Sequence, residues 1–413
     1  MVVDFASRRG ITGAGSAASL TPEQHLIVAG IRQVLLPNIR TPTDGRSAPI
    51  DWDCAVKLIV SEGLAPIVYT SLASLPWSAP RPVQAILQTT YLASQVRSRA
   101  WILPAFGHAV EVLGGLGIQP IVLKGMALAH TVYPEPAHRT MSDIDLLLPA
   151  GDLARAGDAL RETGFWTEGA NASTEHHSRP LFWYRGQASV ELHRQLFPSP
   201  EPLPVTYERL RSRSRLVTVG GVNVHVLGPT DTLLHTCLHL AYHHRYRWFL
   251  LRGLMDILAI TARYADAFDW DDFLTSALTP LTAGATYWPL KMAHEWLGAD
   301  IPERAQLALA PSDLVRRVIG AVMEPRAMLG ATPAVKNSDI VLGNTVRDLS
   351  LYTGCSTAEL IRAVLKGIFP PPHAVGHLPA SLLGSPLRYT WYLANPIRLS
   401  RGLFALWRLL ERA

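Results

Sequence analysis

The sequence predicts an α+β protein, in which a small mixed β-sheet core lies between helical N-terminal and C-terminal regions. Three observations lead there. Helical periodicity dominates before residue 101 and again after Pro229, short runs of alternating polarity fill the stretch between, and the composition is that of a folded chain. Of 413 residues, 48% are hydrophobic and 17% charged, too apolar for disorder and too many for one ordinary core. No run of about 18 uncharged apolar residues appears, so no membrane-spanning helix is expected. The first residues contain no apolar stretch of signal-peptide length. Cys54, Cys237 and Cys355 are odd in number and lack metal-ligand spacing, which predicts unpaired thiols in a cytoplasmic setting. The net charge of +5 is dispersed and mostly arginine, so no specific nucleic-acid partner is expected.

The elements follow in order. Residues 1–20 are expected to be flexible, and 21–100 to form a helical region. Thr21-Pro22-Glu23-Gln24 reads as a capping box with proline at the first helical position, and Asp51 caps a second helix, WDCAVKLIVSEG. Residues 81–116 keep helical periodicity. Within a core over 101–228, QPIVL and SDIDLLLP read as strands flanking the short helix GMALAHTVY. GDLARAGDALRETG is an amphipathic helix closed by glycine. GFWTE, RPLFWYR and ASVELHR alternate as strands, and RLVTV and VNVHVL form a hairpin on Gly220-Gly221. A helical region follows over 229–300: TDTLLHTCLHLAYHH, RWFLLRGLMDILAITARYA, and a segment opened by Asp269. Within 301–413, helices are expected near 313–325 and 357–368, before the loop FPPPHAVGHLPASLLGSP. The chain closes on NPIRLSRGLFALWRLLERA, where Arg398, Arg401, Arg408 and Arg412 punctuate Leu, Phe and Trp. Such a basic amphipathic helix suits packing onto the protein or weak membrane-surface contact.

The chemistry concentrates between residues 123 and 193. Asp143 and Asp145 flank Ile144, so on a strand both carboxylates project from one face, about 7 Å apart, while Ile144 faces the core. Two acids on a partly buried face require a positive partner. A divalent cation is one solution, since Mg²⁺ takes carboxylate, phosphate and water oxygens. A two-metal site needs a third carboxylate from a neighbouring strand, and Val190-Glu191-Leu192 offers one. Lys124-Gly125, at a strand end opening a helix, offers a cation and backbone amides to phosphate. Arg139 would meet either a triphosphate or one of the aspartates as a structural ion pair.

Together, Leu123-Lys124-Gly125, Tyr133-Pro134 with Arg139, Asp143-Ile144-Asp145-Leu146 and Val190-Glu191-Leu192-His193 resemble the uncharacterised nucleotidyltransferase family of the polymerase-beta-like superfamily. The resemblance spans about residues 50 to 270. It implies a nucleotidyltransferase core and a Mg²⁺-dependent transfer of a nucleoside monophosphate from a triphosphate, ATP by default, to an acceptor, with release of pyrophosphate. It also implies that Asp143 and Asp145 bind two Mg²⁺ ions, that Glu191 holds the ion that activates the acceptor, and that Lys124 and Gly125 contact the triphosphate. The broader superfamily follows its turn glycine with Gly or Ser, whereas Gly125 is followed by Met126. The acceptor is open: small molecule, saccharide, peptide or protein. A non-catalytic nucleotide-binding or scaffold protein that keeps the fold is the alternative.

Several other residues carry two readings. His193, two positions past Glu191, would touch nucleotide or orient the acid. His177 would line the pocket or pack. His235, His239 and His243 recur every four residues, one turn beyond Asp231, and would bind a transition metal, line the pocket or form a polar seam between helices. Phe182-Trp183-Tyr184 reads as core or pocket wall.

Overall fold

The computed structural model describes residues 20–39, 49–167, 177–185, 188–197, 203–246, 248–320, 323 and 328–329. The expected helix at 357–368, the loop after it, Cys355 and the basic helix with Arg398, Arg401, Arg408 and Arg412 lie outside the described residues, as do residues 1–19.

An N-terminal helical layer comes first: α1 (Pro22–Leu35), α2 (Trp52–Ser61), α3 (Ala65–Ser71), α4 (Arg81–Val96) and α5 (Leu103–Gly115). The capping box forms, with Thr21 Oγ1 accepting from the Gln24 amide and Gln24 Oε1 accepting from the Thr21 amide. Asp51 Oδ1 accepts from the Cys54 amide to open α2. The helical periodicity of 81–116 resolves into α4 and α5 joined by a π-helical turn at Arg97–Ile102, just before Pro104, which has no amide to donate.

The sheet has seven strands in the order β3-β4-β5-β2-β1-β7-β6. These are β1 (Ile121–Val122), β2 (Asp143–Leu147), β3 (Phe165–Thr167), β4 (His177–Tyr184), β5 (Ala188–His193), β6 (Arg215–Val219) and β7 (Val222–Val226). The β2–β5 and β1–β7 pairs are parallel and the others antiparallel, so the sheet is mixed, as expected. β1 is only two residues long because the chain turns sharply at Lys124 to begin α6 (Lys124–Thr131). The helix α7 (Leu153–Glu162) follows β2, and α8 (Tyr207–Arg213) precedes the Gly220-Gly221 hairpin.

The two faces of the sheet are covered differently. Val122, Ile144, Leu146, Val190 and Leu192 pack against Phe106, Ala109 and Leu113 of α5 and Ala156 and Leu160 of α7. Ile121 and Leu147, on the opposite face, join a larger core. That core is built on α9 (Pro229–Leu238), α10 (Leu250–Tyr264), α11 (Trp270–Ala277), α12 (Ala283–Met292), α13 (Glu303–Leu309) and α14 (Asp313–Gly320). The last described helix, α14, falls within the expected 313–325, of which residues 321, 322, 324 and 325 lie outside the described residues. By strand alternation Asp143 and Asp145 share the face of Leu147, toward α9 and α10. Among the described residues, no helix is long and apolar enough to cross a membrane.

Candidate active site

The parallel pairing of β2 with β5 sets Asp145 opposite Glu191 and Leu147 opposite His193. Residues two apart on a strand share a face, so His193 stands beside both acids. Its Nε2 lies 2.7 Å from Asp145 Oδ1 and 3.5 Å from Glu191 Oε2. Lys124 reaches the same oxygen: Nζ is 2.6 Å from Asp145 Oδ1. It does so because its φ of 48° is left-handed, a conformation that non-glycine residues rarely adopt. The turn is fastened where the Leu123 amide donates to the Asp145 carbonyl at 3.0 Å.

These contacts decide the charge states. Burial works to raise the Asp145 carboxyl, but Lys124 and His193 outweigh it and hold the acid below its ordinary range. Burial likewise opposes the Lys124 cation, and Asp145 and Glu191 more than restore it. Among the described residues, no cation lies within ion-pair distance of Asp143. Burial, then Asp145 and Glu191, push its carboxyl upward, opposed less strongly by Lys124 and by the Ser142 hydroxyl, which donates to Oδ1 at 3.2 Å. The strand therefore carries one fully compensated acid and one that its neighbours leave under-compensated.

This face opens on a cavity of about 370 Å³ whose opposite wall is helical. His235 and its stripe partners His239 and His243 line it, together with His244, the last three on or next to the π-helical turn that continues α9. His239 and His243 stack with ring centres 4.7 Å apart, and His244 meets His239 edge-on at 4.6 Å. Burial, and next Lys124, hold the His239 imidazole well below its usual value. Burial and then His243 and Arg252 push His244 down to about 3. The His239 and His244 rings face the cavity as neutral groups. Among the described residues the group able to share an ion is Asp145, Glu191 and His193, whose ligand atoms lie within 4.8 Å of one another; the histidine stripe is not a second such group.

Residues 48–298 match a family model described as an uncharacterised nucleotidyltransferase. The chain belongs to this nucleotidyltransferase family. Among curated proteins and among solved structures, nothing matches the chain. Every residue of the cavity named so far, on both walls, falls inside the matched span. Family membership and the buried acid–histidine cluster together support a role in nucleotidyl transfer.

Within this nucleotidyltransferase the cations are placed otherwise than the motifs suggest. Arg139 lines the cavity but pairs with neither aspartate of β2. Its Nε donates to Asp256 Oδ1 at 2.7 Å and its Nη2 to Asp256 Oδ2 at 2.9 Å, and the Tyr133 hydroxyl donates to the same carboxylate at 2.6 Å. Gly125 sits where an added Cβ would lie 3.2 Å from Met141 Cβ, so its role here includes close packing. Asp231 turns away to Arg213, at 2.9 Å. His177 opens β4 opposite His193 along the backbone; its side chain lies outside the described residues. Phe182 is core, whereas Trp183 and Tyr184 are half-buried.

Sequence reading passed over Arg252, Asp256, Phe249 and Glu62. The available signal was a pair of opposite charges four residues apart in the otherwise apolar LLRGLMDILAI. Arg252 lies over the Phe249 ring, 3.6 Å from its centre. Burial and then Arg139 pull its guanidinium down to about 10. Glu62 reaches across from the end of α2 to accept from the Leu251 amide at 2.8 Å, and the Arg252 amide also donates to it, capping α10 from another helix.

Proposed function

We propose that this protein is a Mg²⁺-dependent nucleotidyltransferase that moves a nucleoside monophosphate from a nucleoside triphosphate, ATP by default, to an acceptor hydroxyl or similar nucleophile. One observation carries the reading: the β2–β5 register that sets Glu191 beside Asp145, on the face that also bears Asp143 and lines the cavity. The donor set fits a divalent cation. Asp145, Glu191 and His193 bring ligand atoms within 4.8 Å of one another, and Asp143 stands on the same face. Asp143, Asp145 and Glu191 would hold the ions, with His193 orienting the two acids it touches. Bound there, the ions supply neutralisation of charge on the phosphates and on the leaving pyrophosphate.

In the reaction the acceptor oxygen bonds to the α-phosphorus as the bond to the bridging oxygen breaks, and the electron pair departs on pyrophosphate. Glu191, the more exposed of the two paired acids, would hold the ion that activates the acceptor, whose proton passes to solvent. On the helical wall, the neutral imidazoles of His239 and His244 present ring faces and nitrogen atoms to substrate without adding charge. The acceptor is a small molecule, saccharide, peptide or protein in this reading, and the setting is cytoplasmic.

Lys124 bound to Asp145 is also what a non-catalytic nucleotide-binding or scaffold protein would show, and turnover separates the two. Mass spectrometry of products after incubation with each triphosphate, Mg²⁺ and an acceptor panel should reveal a nucleotidylated product that Asp143→Asn and Asp145→Asn both lose. Binding without turnover across the panel would favour the scaffold, and turnover retained in both variants would refute the assigned roles.

A further inference from the structure

Among the described residues, three cationic side chains other than histidine line the cavity: Lys124, Arg139 and Arg252. The first two are already committed, Lys124 to Asp145 and Arg139 to Asp256 through two parallel hydrogen bonds. Arg252 is different. Among the described residues no carboxylate lies within ion-pair distance of its guanidinium, which rests on an aromatic face in a partly buried position. Asp256, Glu62 and Asp143 act on it only from beyond that distance, and burial with the neighbouring Arg139 outweighs them, so an incoming anion would relieve a remaining cost.

The surroundings hold this guanidinium in place and leave its edge open. Stacking on Phe249 fixes the plane. Gly63 faces it with no side chain; a Cβ there would lie 3.3 Å from Arg252 Nη1. Glu62 is occupied with the amides that open α10. The planar fork of arginine suits two phosphate oxygens at once. Asp143, Asp145 and Glu191, the acids of β2 and β5, line the same cavity.

We propose that Arg252 is the polyphosphate-binding residue of this site, receiving the β- and γ-phosphates of the triphosphate and the pyrophosphate that leaves. The inference rests on the nucleotidyltransferase reading for the identity of the anion. It assigns the phosphate contact to Arg252 on α10 rather than to Lys124 and Gly125 at the start of α6. Arg252 thereby acts on binding and on leaving-group charge.

Calorimetry on the full chain tests it with three probes: ATP, AMP, and inorganic tripolyphosphate without metal. Arg252→Gln should weaken ATP and tripolyphosphate by about tenfold or more, the scale of one or two charge-assisted hydrogen bonds. AMP binding should stay within about twofold, because the lost contacts are to the β- and γ-phosphates. Arg252→Lys, which keeps the charge and loses the fork, should fall between, and it serves as the test if the glutamine variant fails to fold by circular dichroism. Unchanged ATP and tripolyphosphate affinity in both variants would overturn the proposal, as would an equal loss for AMP and ATP or a wild-type protein that binds no polyphosphate. Arg252-dependent polyphosphate binding with no turnover of any acceptor would uphold this assignment while removing the transferase reading.

Discussion

The two walls of the cavity solve the problem of buried charge in opposite ways. On the sheet wall, charge is kept and balanced: Asp145 is 2% exposed and held by Lys124 and His193 on a single oxygen. On the helical wall, charge is mostly removed, since burial drives His239 and His244 to their neutral forms. There Arg139 is cancelled by Asp256, and among the described residues no carboxylate lies within ion-pair distance of Arg252. The difference teaches where a ligand's charge belongs. Cations are drawn to the sheet wall, beside Asp143, and anions to the helical wall, at Arg252.

Breaking the sheet wall should have the largest effect. Asp143→Asn and Asp145→Asn should each reduce nucleotidyl transfer on the order of 10³-fold, measured as product formed per enzyme. They should differ in stability. Asp145→Asn strands the Lys124 cation and should cost about 3–5 kcal/mol in urea denaturation, whereas Asp143→Asn removes an under-compensated acid and should be neutral or stabilising. Equal stability losses would mean that the Lys124–Asp145 pair is not what compensates this face.

On the helical wall, Arg139→Ala should cost about 3–5 kcal/mol because Asp256 is left buried and unpaired. Replacing both partners, Arg139→Met with Asp256→Leu, should recover most of that loss. A double variant as unstable as the single one would show that the pair does more than cancel charge.

A smaller effect sharpens the comparison through pH. Burial, opposed by the Leu251 and Arg252 amides, pushes the Glu62 carboxyl up to about 7 from an ordinary 4.5. Between those values the folded state keeps a proton that the unfolded chain has released, so stability falls as pH rises through this window. Glu62→Gln keeps an acceptor oxygen and does not titrate. Relative to the native protein it should gain about 2–3 kcal/mol between pH 4.5 and 8. Parallel pH dependence of the two proteins in denaturant titrations would place the ionised Glu62 at no disadvantage.

The smallest effect expected is at Gly63, whose φ is +68° and whose missing Cβ leaves room for Thr140 and Arg252. Gly63→Ala should cost about 1–3 kcal/mol from backbone strain. It should also weaken polyphosphate binding by displacing the guanidinium. A destabilised variant that binds polyphosphate like the native protein would detach Gly63 from the anion site.

Much of this was legible in the chain because it is local. Strand alternation places Asp143 and Asp145 on one face whatever surrounds them. The Thr21 and Asp51 caps depend on contacts three residues away, and a glycine pair flanked by alternating runs makes a hairpin. The histidine stripe announced a polar face on its helix, and only the cavity showed what that face looks onto.

What the sequence by itself determined is therefore which side chains share a face, since that follows from the fixed periods of strand and helix. Which charges meet was decided by the tertiary structure. Lys124 and Asp145 are 21 residues apart, and Arg139 and Asp256 are 117 apart. The β2–β5 register depends on strands separated by a helix and two further strands. Electrostatic pairing acts over a few ångströms of space and carries no period along the chain, so the partner of Arg139, and the lack of a close carboxylate for Arg252 among the described residues, became visible only once the helices had closed over the sheet.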